Sequence, residues 1–246
     1  MHTNRLLVSL SVAMLICFGR LQAEDASATP SKSDIENIVR EFILQHPEVL
    51  MESVQSYRER ERVETQERSN AAIGANRSDL LDDPTSPVIG DAGAGIAIVQ
   101  FFDYQCGYCR RVAPTVSKLL EEHKNVRVIF KELPILGPES HVASRAALAA
   151  AKQGAYAPFH QKLLGVDGPI SPKTIEELAD QLGLDLARLR RDMSSPEVAA
   201  ILAQNQRLAN TLGVESTPSF VIGNELISGA MDLSRFEELI SKNSSR

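Results

Sequence analysis

Residues 99–114 read VQFFDYQCGYCRRVAP, an apolar run that closes on two cysteines three apart, Cys106 and Cys109. The whole chain of 246 residues has three cysteines. Three chemistries fit such a pair: a structural disulfide, half of a metal site, or a redox centre. A helix beginning at the cysteines would put both sulfurs on one face, close enough to bond once the first turn forms. The first sulfur would lie among unsatisfied N–H groups at the positive end of the helix dipole, which stabilises its thiolate and lowers its pKa. The second would lie a turn further in, shielded. On this reading Cys106 is the exposed nucleophile and Cys109 the buried thiol that resolves a mixed disulfide.

The two other chemistries have less support. Closing so short a loop removes little unfolded-state entropy, so a purely structural bond gains little. A structural zinc site needs a second ligand pair, and His123, His141 and His160 show no ligand-like spacing, so no metal site is expected. Cu(I) held by the two thiolates stays open.

The third cysteine, Cys17, lies in LLVSLSVAMLICF, an apolar run behind the basic MHTNR and ahead of Ala23. This reads as a secretory signal over residues 1–23, too short to span a bilayer, with Ala28 as an alternative cleavage position. Cys17 would leave with it. An exported chain with only Cys106 and Cys109 remaining favours a bond between them, because disulfides persist in exported compartments. The net charge of −6 is spread along the chain and argues against nucleic-acid binding, which needs a basic face.

Downstream of a polar stretch, SDIE offers Ser33 and Glu36 as a capping box. Ile35, Ile38, Val39, Phe42 and Ile43 follow at helical spacing. Pro47 suits the first turn of a second helix, whose apolar Leu50, Val54 and Tyr57 give way to RERERVETQER, a solvated face. Residues 70–85 carry Gly, Asn, Asp and Pro and read as a linker holding these helices away from the body. Without a local partner, the apolar stripe predicts self-association.

The body starts near Ser86. PVIG and IAIVQFF read as strands, a helix runs from the cysteines to about Glu122 with Pro114 inside it, and VRVIFKEL is the next strand. From about 140 to 212 the pattern is helical, with Ser171–Pro172 and Ser195–Pro196 as helix openings. SFVIGNELIS reads as a hairpin turning at Gly223–Asn224, and Asp232 caps a last helix. The fold class is α/β: a sheet domain over 86–246 with a helical insertion, preceded by a helical segment over 24–85.

FFDYQCGYC, FKELPILG, the helical block and GVESTPSFVIG, in that order, resemble the DsbA-like branch of the thioredoxin superfamily over roughly residues 86–242. The N-terminal helices resemble those of ScsC-like exported proteins. The resemblance implies a thioredoxin-like fold and an exported, periplasmic thiol–disulfide oxidoreductase. Its substrates would be proteins with thiols or disulfides, and a membrane redox partner would recycle the pair. No cofactor is implied beyond the Cys106–Cys109 disulfide. It also implies that Pro218 is a cis proline beside the redox pair, presenting the Thr217 backbone to an extended substrate.

The Gly107–Tyr108 dipeptide and Thr217 resemble the disulfide isomerase DsbC rather than the oxidase DsbA. Together with an oligomerisation segment giving a homodimer or homotrimer, they favour isomerase or reductase over a DsbA-type oxidase. Gln100 stands where the superfamily often has a buried acid. Asp103, Lys131 and Glu132 could substitute for it, but the sequence reads more simply with all three as surface charges.

Overall fold

The computed structural model describes residues 29–91 and 93–244. The signal-like segment and Cys17 lie outside the described residues. Two units are distinguished, one ending at Tyr57 and the other starting at Arg58.

In the first unit, α1 (Lys32–Gln45) is opened by Ser31, whose Oγ accepts from the Asp34 N–H at 3.2 Å while the Ser31 N–H donates to Asp34 Oδ2 at 3.0 Å. The capping box therefore lies two residues earlier than Ser33 and Glu36. Either pair satisfies the same backbone donors, and Asp34 completes the earlier one. None of α1 is buried, and Ile38 and Phe42 are 62% and 50% exposed. Helix α2 (Pro47–Ala75) begins at the expected proline. Leu50 and Val54 on its first half are also exposed.

The second unit is built on one five-stranded sheet of order β1-β3-β2-β4-β5. Its strands are β1 (Val88–Gly90), β2 (Ile96–Phe102), β3 (Val126–Glu132), β4 (Ser219–Ile222) and β5 (Glu225–Ser228). Strands β2 and β3 are parallel, joined through α4 (Gly107–Glu122), and the other pairings are antiparallel. The central strands are almost wholly buried, which explains their unbroken apolar runs. Side chains alternate between two faces. Ile98, Phe102, Val128 and Phe130 face a core that includes Val112, Val116 and Leu119 of α4. Val99, Phe101 and Ile129 face a second core on the other side.

Five helices form the insertion: α5 (Pro138–Ala151), α6 (Tyr156–Leu164), α7 (Pro172–Gln181), α8 (Leu186–Met193) and α9 (Pro196–Leu212). Ser171 and Ser195 cap α7 and α9 through their Oγ atoms, as their Ser-Pro openings predict. The hairpin turns at Gly223–Asn224, and Asp232 Oδ1 accepts from the Arg235 N–H at 2.9 Å at the start of α10 (Leu233–Ser244).

Residues 70–85 are not a linker. The end of α2 and α3 (Arg77–Leu81) lie on the second core, with Ile73 and Leu80 each only 1% exposed. Lys131, on β3, donates to the Asp79 carbonyl at 2.7 Å and to Asp83 Oδ2 at 2.9 Å. Turn-rich composition described the local preference correctly, and burial of two aliphatic side chains plus an ion pair outweighs it. The sheet domain thus gains a helical layer well upstream of Ser86.

Candidate active site

The carboxyl ends of β2 and β3 carry the site. Cys106 is the N-cap of α4, in extended conformation, with its N–H bonded to the Asp103 carbonyl at 3.1 Å. Its side chain caps no helical N–H. Instead the Cys106 thiol donates to the Thr217 carbonyl at 3.1 Å. The Thr217–Pro218 peptide is cis. The structure therefore brings Cys106, Cys109, Thr217 and Pro218 together from two regions about a hundred residues apart in the chain.

Both cysteines are reduced, and both are largely buried. Cys106 is 6% exposed and Cys109 1%. The expected order of accessibility holds, but Cys106 is no open thiol: the Thr217 carbonyl and the start of α4 enclose it. Burial pushes the Cys109 thiol far above the ordinary range, against a backbone hydrogen bond from Asp103 that works the other way. Gly107 is exposed, and a Cβ there would meet nothing within 4 Å. Tyr108 is exposed at the rim, with the Arg111 guanidinium 4.6 Å from its ring centre.

The three charged residues read as surface groups are all fully buried, each at 0% exposure. Lys131 and Asp83 form an ion pair on the face away from α4. Glu132 points the other way, where Oε1 accepts from Tyr104 OH at 3.0 Å and Tyr156 OH at 2.9 Å. Tyr104 OH is also 2.8 Å from His160 Nδ1. Since the tyrosine proton goes to Glu132, His160 donates from Nδ1 and is the Nδ1–H tautomer. Burial holds His160 neutral, with its pKa lowered to about 3. Gln100, at the usual acid position, is 3% exposed and its Oε1 has no hydrogen-bond partner.

Burial raises Glu132 to about 8, against the hydrogen bonds that lower it. Between its ordinary 4.5 and about 8, the folded chain holds a proton that the unfolded chain has released, so stability falls as pH rises. His160 contributes with the opposite sign below its ordinary 6.5, so Glu132 acts unopposed by it from there to about 8. Glu132→Gln is expected to remove a slope of roughly 1.4 kcal/mol per pH unit in that window. Denaturant titrations at a series of pH values check it, and parallel profiles for the two proteins contradict it.

Sequence reading did not find Tyr104, Tyr156, His160 or Arg110 as members of the site region. Arg110 Nε donates to the Tyr104 carbonyl at 2.9 Å and Nη1 to the Val166 carbonyl at 2.8 Å, tying the redox turn to the insertion. Only the position of Tyr104 and Arg110 beside the CxxC signals their role; His160 and Tyr156 have no local signature. Among the described residues, one group gathers metal-type ligand atoms, Glu122, His123 and Glu237. It includes neither cysteine, and Glu237 joins it from α10.

A parallel β-α-β unit with a CxxC at the mouth of its helix and a proline loop against the first sulfur defines a thiol–disulfide oxidoreductase fold. The chain belongs to the family of the DSBA-like thioredoxin domain, which it matches over residues 97–241. Residues 32–64 match the copper resistance protein ScsC N-terminal domain. A thioredoxin-like oxidoreductase from Silicibacter pomeroyi is 41% identical, with a TM-score of 0.68 over 70% of this chain and 99% of that one. A linker-deletion mutant of ScsC from Proteus mirabilis is 26% identical, with a TM-score of 0.66 over 89% and 99%. The Na(+)/H(+) antiporter NhaA 3 of Salinispora tropica is 32% identical over 162 residues, 63% of this chain and 25% of that protein. The chain spans about a quarter of the length of the first such curated relatives. Among the described residues, no helix is long and apolar enough to cross a membrane.

Proposed function

We propose that the chain is an exported, periplasmic protein thiol–disulfide oxidoreductase that works chiefly as an isomerase or reductase. The observation that carries this is the contact of the Cys106 thiol with the Thr217 carbonyl, 3.1 Å at the mouth of α4, above a more deeply buried Cys109.

The Cys106 thiolate attacks one sulfur of a substrate disulfide. A Cys106–substrate bond forms, the substrate S–S bond breaks, and the second substrate sulfur leaves as a thiolate that takes up a proton. Two exits follow. In reduction, Cys109 loses its proton and attacks Cys106, so the pair becomes a disulfide and the substrate leaves as a dithiol. In isomerisation, another substrate thiol attacks the mixed disulfide, a new substrate disulfide forms, and Cys106 returns as a thiolate with no net electron transfer. The raised pKa of Cys109 supports the second exit, because a thiol that is hard to deprotonate slows resolution and gives the substrate time to rearrange. A membrane redox partner would restore the pair after net reduction.

Self-association through α1 and the first half of α2 belongs to the same reading. Burying one large aliphatic side chain is worth roughly 1.5–3 kcal/mol, and Ile35, Ile38, Val39, Phe42, Leu50 and Val54 all stand exposed. A homodimer or homotrimer built there would hold several redox sites around one misfolded substrate and raise their effective concentration.

The test is recovery of a scrambled multi-disulfide protein by the mature chain and by a chain lacking residues 24–57, with light scattering on both. The mature chain is expected to be a dimer or trimer with isomerase activity. The truncated chain is expected to be a monomer that still exchanges with glutathione but loses most isomerase activity. A mature chain that is monomeric at micromolar concentration would shift the reading to a DsbA-type oxidase. Stoichiometric Cu(I) binding by the reduced pair, without exchange, would replace it with metal binding.

A further inference from the structure

The pairing of β2 with β3 stops at Phe102 and Glu132, and the Leu133 N–H still reaches the Phe102 carbonyl at 2.9 Å. Pro134 then has no N–H to give, so the backbone ladder runs out just as the two chains pass the redox turn. The side chain of Asp103 takes over. Its Oδ2 accepts from the Ile135 N–H at 2.8 Å and the Leu136 N–H at 3.0 Å. Its Oδ1 accepts from the Gln105 N–H at 2.7 Å and from Ser140 Oγ at 2.7 Å. Its main-chain carbonyl holds the Cys106 N–H. All four acceptor positions of a fully buried carboxylate are thus filled, by donors from the redox turn, the segment after β3 and the first turn of α5.

Segment 133–137 is held in place by these bonds, yet it turns apolar side chains to solvent. Ile135 and Leu136 are 40% and 52% exposed. The parallel register of β2 and β3, continued past its last pair, runs them beside residues 105 and 106. Two exposed aliphatic side chains fixed against a reactive sulfur cost free energy in water and are useful where something apolar covers them.

We propose that Asp103 is a positioning residue that fixes Ile135 and Leu136 as an apolar lip beside Cys106, receiving an apolar residue next to the substrate's cysteine. This rests on the redox reading above and adds a substrate preference to it. A carboxamide cannot do the same work, because its oxygen accepts two bonds while its NH2 would face two donors.

The test uses the full mature chain and three disulfide substrates: oxidised glutathione, a peptide whose glutathionylated cysteine is flanked by leucines, and the same peptide with serine flanks. Asp103→Asn is expected to raise KM for the leucine peptide about tenfold with kcat unchanged, the loss of one or two hydrogen bonds that order the lip. It should leave the serine peptide and glutathione unaffected. The double variant Ile135→Ser, Leu136→Ser, whose side chains are exposed, is expected to reproduce that pattern and keeps the test valid if Asp103→Asn fails to fold. An equal fall in kcat on all three substrates with unchanged KM marks a purely structural role and overturns the proposal, as does an unchanged KM for the leucine peptide in the double variant. Failure of the parent chain to exchange even with glutathione would instead overturn the redox reading, and the proposal with it.

Discussion

Cys106→Ser abolishes thiol–disulfide exchange, while Cys109→Ser leaves a chain that attacks substrates and then stays bound to them. The asymmetry follows from position. Cys106 caps α4 and its thiol meets the carbonyl of Thr217, where an extended substrate would lie. Cys109 lies inside the first turn, 1% exposed, with its pKa pushed up by burial. Removing the first sulfur removes the attacking atom, so no mixed disulfide forms with any substrate. Removing the second leaves the attack intact and closes the exit that releases reduced substrate. Non-reducing gels of each variant incubated with a disulfide-bonded protein check this: adducts are expected for Cys109→Ser and none for Cys106→Ser. The reverse pattern would exchange the two roles.

The second large effect is on stability. Lys131→Met is expected to cost about 3–5 kcal/mol, the loss typical when one partner of a buried pair is removed. Lys131 is fully buried and the Asp83 side chain 6% exposed, so the carboxylate left behind would keep only Thr85 and Ser86 as partners. The bond to the Asp79 carbonyl, which fastens α3 to β3, would also go. Replacing both charges, as Lys131→Met with Asp83→Leu, is expected to recover much of the loss, because it leaves no uncompensated charge. Burial raises the Asp83 carboxyl, but hydrogen bonds from Lys131, Thr85 and Ser86 outweigh it and bring the pKa to about 2. The folded pKa is depressed, so the contribution is present above the ordinary 3.8 and fades as pH falls through about 2. The double variant should lose that acid sensitivity. Urea midpoints of the three proteins measure all of this, and a single variant as stable as the parent would contradict it.

The same contacts revise how the chain should be shortened. Deleting residues 24–80 would remove Ile73 and Leu80 from the second core, so loss of isomerase activity could not be told from loss of folding. A cut at Tyr57 removes the exposed apolar stripe and leaves that core whole.

What was legible in the sequence was what periodicity and spacing encode. β2 and β3 show as apolar runs because both faces are covered, α4 starts where the CxxC demands it, and the Ser-Pro openings of α7 and α9 carry their caps in two letters. The meeting of Cys106 with Thr217 came from family resemblance, since no local pattern joins positions 111 apart. What was hidden is tertiary. Asp103, Lys131 and Glu132 are charged letters, and charge normally means surface. Each is buried because specific partners wait for it: four donors for Asp103, Asp83 for Lys131, two tyrosines for Glu132. Residues 70–85 misled for a related reason. Their Gly, Asn and Pro content reports local preference, and the burial of Ile73 and Leu80 shows only in the assembled sheet.

The most direct test of the redox assignment is a rapid acid quench of the reduced mature chain reacting with oxidised glutathione, followed by alkylation and peptide mass mapping. A glutathione adduct on Cys106 is predicted to appear first and to decay into a Cys106–Cys109 disulfide. An adduct that forms first on Cys109, or two thiols that stay reduced throughout, would contradict the account.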